Sequence, residues 1–89
     1  MPVLSMFYGI VIRMFFFDVE RHGTPHIHCK YAEHDAVFSI QTGALLTGVL
    51  PLRQVRLVEA WIELHREELM ADWQLAVDGH ELFGIEPLR

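Results

Sequence analysis

From Ile10 to Phe17 almost every position is apolar, with Ile10, Ile12, Met14 and Phe16 on one alternate set and Val11, Arg13, Phe15 and Phe17 on the other. This β-branched and aromatic stretch predicts a strand over about 8–17, buried on at least one face. The polar segment Asp18–Pro25, with Gly23 and Pro25, breaks the alternation and reads as a loop. Alternation resumes at His26–Tyr31, where Ile27, Cys29 and Tyr31 oppose His26, His28 and Lys30, so a second strand over 26–31 carries both histidines on its more polar face. A short connection, Ala32–Asp35, leads to a strand over 36–41. A turn centred on Gly43 then leads to a strand over 45–49. Such short links imply an antiparallel meander.

The period then changes. Val55, Val58, Ile62, His65, Leu69 and Trp73 recur at spacings of three and four, which predicts one long helix over 51–77, opened by Pro51 and stopped at Asp78-Gly79. Leu57, Trp61 and Leu64 lie beside that stripe, so the apolar surface is wider than a helix needs to cover its own sheet. A thick core or a partner interface accounts for the width. The tail Leu82–Leu88 offers a further edge strand over 82–86, ended by Pro87. The expected architecture is α+β: one domain over 1–89, with a four- to five-stranded, mostly antiparallel sheet covered on one face by the helix. The face bearing His26 and His28 is left for a ligand, a second copy or a partner.

Size and composition sharpen this. A chain of 89 residues buries only ~60% or slightly more of its unfolded surface, yet 52% of its residues are hydrophobic. That excess suggests a homo-oligomer or a protein partner. The formal net charge of −5, with only 7 Lys and Arg, argues against general nucleic-acid binding while leaving a local site open. A single cysteine, Cys29, excludes an internal disulfide, and the chain opens with no secretory signal pattern, so the expected compartment is the cytoplasm. The longest uncharged run, Met1–Ile12, is too short to span a bilayer.

The chemistry concentrates between Asp18 and His28. His26 and His28 leave an extended chain on the same side, close enough to share a proton, an anion or a metal ion. One imidazole accepting and one donating a proton, with Arg13, Arg21 or Lys30 stabilising a phosphorane, would suit RNA cleavage through the 2′-hydroxyl. The same pair with His22 is a candidate divalent-metal site, for which Asp18, Glu20 and His34 are further ligand candidates; no other cofactor is expected. A structural role, donating to loop carbonyls, uses the same residues. His65, on the helix stripe, reads as a core histidine.

On the helix, Arg53 and Arg56 occupy the first turns, where the macrodipole favours anions, while Glu67, Glu68 and Asp72 fall in the second half. Arg53, Arg56 and Trp61 are therefore candidates for holding an acidic partner or an anion near the helix start.

Phe7-Tyr8-Gly9-Ile10, Pro25-His26-Ile27-His28, Gly48-Val49-Leu50-Pro51, the helical Trp61, His65, Leu69 and Trp73, and Ile85-Glu86-Pro87-Leu88 together resemble the DUF4160 family over nearly the whole chain. The resemblance implies a bacterial domain of unknown activity, often encoded beside a second small domain, DUF2442, in an arrangement similar to toxin–antitoxin pairs. Family members commonly carry a second proline just before Pro-His-x-His, where this chain has Thr24. The favoured expectation is a protein-interaction domain of such a two-gene module, presenting Phe15, Phe17, Trp61 or Leu64 to its neighbour. The alternatives are a small metal-independent ribonuclease-like toxin using His26 and His28, and a metal-binding module.

Overall fold

The computed structural model describes residues 3–15 and 24–89. Its strands are β1 (Val3–Phe7), β2 (Ile10–Arg13), β3 (His26–Tyr31), β4 (His34–Ser39) and β5 (Leu45–Gly48), followed by one helix, α1 (Leu52–Val77). They form a single five-stranded sheet in sequence order, every neighbouring pair antiparallel. The α+β meander with one long helix is therefore the observed fold.

β4 runs two residues earlier than the expected 36–41, and the first strand differs more. The strand predicted over 8–17 is preceded by a separate strand, because Phe7 pairs with Ile10 around a two-residue turn in which Tyr8 (φ 47°) and Gly9 (φ 79°) are both left-handed. That is the type I′ pattern, which matches the twist of the strands it joins. Apolar alternation cannot register such a turn when its first central residue is a tyrosine. Phe16 and Phe17, at the far end of the predicted strand, lie outside the described residues.

Alternation and register settle the two faces. Ile10 and Ile12 of β2 sit opposite Tyr31 and Cys29 of β3, and Ile27 and Cys29 sit opposite Phe38 and Ala36 of β4. With Met14, these form the buried sheet layer, closed by Val58, Trp61, Ile62, Leu69 and Trp73 of α1 and by Ile85 of the tail. Burial pushes the Cys29 thiol far above its ordinary range, so it behaves as a small apolar core group rather than as a nucleophile. Arg13, His28, Lys30 and Val37 occupy the alternate face.

A straight helix of 26 residues would run about 39 Å at 1.5 Å per residue, more than the longest extent of the molecule, 33 Å. The helix is broken at His65 (φ −120°, ψ 20°). Just past the break, Arg66 donates from Nε to the Ile40 carbonyl at 3.0 Å, tying the second half of α1 to the end of β4. The helix starts without a side-chain cap at Pro51 and has no acidic residue in its first turn. It ends in a Schellman motif, with Gly79 N–H donating to the Ala76 carbonyl and His80 N–H to that of Leu75.

The tail after α1 is not the predicted edge strand. It crosses the β1 edge through one backbone bond, Ile85 N–H to the Leu4 carbonyl at 2.8 Å, while the Trp61 indole N–H holds the Glu86 carbonyl at 2.8 Å. Asp72 Oδ1 accepts the Phe83 amide at 2.9 Å, and Oδ2 is buried with no partner among the described residues. Burial raises the Asp72 carboxyl above its ordinary value of 3.8; the Phe83 bond opposes that rise and the Glu68 charge adds to it. A raised folded-state value means that this group's stabilising share is complete below 3.8 and is lost as pH climbs through the raised value. Relative to Asp72→Asn, the wild-type protein should therefore lose urea stability as pH rises from about 4 through that value, and the difference should then level off. A difference that stays constant with pH would show that the carboxyl is not strained by its burial.

Candidate functional site

β3 carries the two histidines, and the pairing around it decides their neighbours. On the face away from the core, His28 lies opposite Arg13 of β2 and Val37 of β4, while Lys30 lies opposite Asp35. Phe15, just past β2, stacks its ring on that of His28, with centroids 4.0 Å apart and planes 20° apart. With Thr47 and Gly48 of β5 these residues line a concavity of about 580 Å³. Lys30 is paired with Asp35 at 3.3 Å on its exposed rim. Arg13 is half-buried and has no carboxylate partner among the described residues.

The sequence places His26 and His28 on one side of β3, and their ring centroids are indeed 5.2 Å apart. Their environments are not equivalent. His28 is half-buried beside the concavity, whereas His26 is wholly buried. Its ring lies 5.1 Å from that of Trp73, on the second half of α1. Its Nδ1 is 2.7 Å from the Thr24 carbonyl oxygen, which only accepts, so Nδ1 carries the proton and donates it. His26 thus holds the entry to β3, alongside Ile40 N–H to the Pro25 carbonyl at 3.0 Å and the Thr24 hydroxyl to Gln41 at 3.2 Å. A proline at position 24 would keep the carbonyl that His26 uses while losing the hydroxyl and the backbone N–H, so the departure at Thr24 leaves this anchor intact. Of the two imidazoles, then, only that of His28 borders the concavity.

Other candidates separate in the same way. Trp61 is wholly buried between Phe7 (centroids 5.3 Å apart) and His65 (5.6 Å), with its indole N–H taken by Glu86, so it presents no surface to a partner or an anion. Arg53 and Arg56 are exposed on the first turns of α1. His65, half-buried, is bonded through Nδ1 to Glu68 Oε1 at 2.6 Å. His34 pairs with Tyr31 at the far end of β4, five residues from the Ser39 level of His26, or about 17 Å of strand rise. Among the described residues no group of three His, Cys, Asp or Glu side chains is placed to hold a metal ion. Asp18, Glu20, Arg21 and His22, and with them the third ligand expected for the metal reading, lie outside the described residues, as does Phe17.

The family model described as a domain of unknown function, DUF4160, matches residues 9–74. The chain belongs to the DUF4160 family. The matched span runs from the Tyr8-Gly9 turn through the concavity and the kinked helix to Trp73, the residue that closes over His26. No curated protein and no solved structure matches this DUF4160 chain. No helix in the described residues is long and apolar enough to cross a membrane.

Two features of the DUF4160 site were missed in sequence. The Phe15 stack on His28 follows from strand register, which a hydropathy pattern does not encode. The burial of His26 involves Trp73, which lies on α1 beyond a break at His65 where the sequence carries neither proline nor glycine.

Proposed function

We propose that this chain is the interaction half of a bacterial two-gene, toxin–antitoxin-like module, binding a small DUF2442-type neighbour in the cytoplasm through the β5 edge. The observation that carries this reading is the asymmetry of the two sheet edges. At β1 the tail crosses the edge and takes the Leu4 carbonyl, whereas no strand among the described residues pairs with the outer side of β5. β5 and the chain leading into α1 expose Leu45, Leu46, Val49 and Leu52, with Val49 and Leu52 about two-thirds accessible. An open, apolar edge is a template for strand addition. Arg53 and Arg56 follow on the first turns of α1, which suits a partner strand flanked by carboxylates.

The ribonuclease alternative calls for two imidazoles at one phosphate, and the burial of His26 favours the interaction reading over it. The interaction reading asks nothing of either histidine.

Coexpression of the chain with its adjacent small gene tests the reading. A soluble complex should copurify, and Leu46→Lys with Val49→Lys should abolish it while leaving the thermal transition of the free chain within a few degrees, since both side chains are exposed. Growth arrest by the chain alone, relieved by the neighbour but not with the β5 variant, would extend the reading to toxin and antitoxin. Failure to copurify with soluble protein on both sides would overturn it.

A further inference from the structure

We infer that the concavity on the uncovered face of the sheet binds a small molecule bearing an oxyanion, phosphate or carboxylate, on an apolar body, with Arg13 as its anchor. The chain has 12 acidic side chains against 7 Lys and Arg. Arg66 nevertheless has Glu63 at 3.0 Å, Arg89 has Glu86 at 3.1 Å and Lys30 has Asp35 at 3.3 Å. Arg53 and Arg56 are exposed, where an unpaired guanidinium is well hydrated. Arg13 alone among the described arginines is half-buried with no carboxylate beside it.

A guanidinium partly withdrawn from water on a concave surface is poised for an oxyanion, because its planar fork matches phosphate and carboxylate oxygens two at a time. The lining matches such a ligand. His28 stands directly across the β2–β3 ladder from Arg13, and the Thr47 hydroxyl lies on the β5 side. Val37 and the Phe15 ring supply apolar wall, and the volume of about 580 Å³ falls within the range of small-molecule sites. Among the described lining residues the single carboxylate, Asp35, is paired with Lys30 at the rim, so the charge these residues leave over is that of Arg13. The inference does not depend on the β5 edge as a protein contact.

The test is a titration of the isotopically labelled full chain, at constant ionic strength, with phenyl phosphate, benzoate and the neutral analogue benzyl alcohol, followed by amide and imidazole NMR shifts. Saturable shifts are expected at Arg13, Phe15, His28 and Lys30 with both anions, and at least about tenfold weaker ones with benzyl alcohol. The anion that saturates at lower concentration identifies the oxyanion. Arg13→Gln should weaken anion binding about tenfold or more, Arg13→Lys by less, and Arg53→Gln not at all. Equal response to benzyl alcohol, linear shifts throughout, or anion binding unchanged by Arg13→Gln in a folded variant would each overturn it. The comparison of the three probes on the wild-type chain stands even if the Arg13 variants do not fold.

Discussion

Gly48→Ala should destabilise this domain by more than about 3 kcal/mol, whereas Gly79→Ala should cost it about 1 kcal/mol. Both glycines are left-handed, at φ +87° and +80°, so both substitutions carry the strain of an L side chain in that region. Only Gly48 has backbone packed where the new methyl would go. A Cβ there would lie 2.2 Å from the Asp35 carbonyl oxygen and 2.7 Å from the Ala36 Cα, whereas at Gly79 nothing lies within 4 Å. Backbone atoms held in paired strands cannot swing aside as a side-chain tip can. The methyl fits only if β4 and β5 separate, which gives up the Val49 N–H bond to Asp35 at 3.1 Å and the shared wall of the concavity. Strain, clash and lost pairing together should exceed about 3 kcal/mol, a large share of the roughly 4–13 kcal/mol expected for a chain of this size. Urea denaturation of the two variants, followed by the fluorescence of Trp61 and Trp73, measures both losses. Equal losses would show that the close approach of β5 to Asp35 carries no cost.

The same glycine connects fold to function. Gly48 lets β5 lie hard against β4, and that contact brings Thr47 over the concavity while leaving the outer side of β5 open. The proposed protein edge and the proposed anion site therefore share one structural support. They differ in what they ask of the residues: Leu46 and Val49 serve only the first, and Arg13 serves only the second. Variants at these positions should separate the two roles cleanly, whereas a Gly48 variant would damage both through the fold.

How far the sequence could be read depended on the range of the interaction involved. The strand at His26–Tyr31, the turn at Gly43 and the helix from Pro51 to Gly79 are local patterns of period 2 or 3.6 with local stops, and each was legible within a residue or two. Placement of His26 and His28 on one side followed from the same arithmetic. Which of the two faces the concavity did not, because that depends on Trp73 arriving from the second half of α1 beyond the break at His65. The Tyr8-Gly9 turn was hidden for a different reason. Its first left-handed residue is a tyrosine, a type for which positive φ is uncommon, and the apolar run continues on both sides of it. The tail was placed correctly at an edge but not in form. Among the described residues its hydrogen bonds to the sheet and helix are one backbone bond and two bonds to helix side chains, so it packs as an irregular strap where a strand was expected.

That strap gives the last prediction its two parts. Trp61→Ala removes the largest wholly buried side chain in the core and should destabilise the domain by about 3–5 kcal/mol, a large share of the stability a domain of this size holds. Trp61→Phe keeps most of the ring that packs on Phe7 but deletes the indole N–H, leaving the Glu86 carbonyl without its donor. The expected loss is then about 1–3 kcal/mol, concentrated where the bond was. If the tail is held chiefly by this bond and by Asp72, the Phe variant should stay folded while the amides of Phe83 and Ile85 exchange with solvent far faster than those of β2 and β3. Uniform acceleration across the sheet would mean that the indole N–H stabilises the whole core and the strap has no independent opening. Exchange unchanged at Ile85 would mean that the Leu4 carbonyl and the burial of Ile85 itself hold the tail without Trp61.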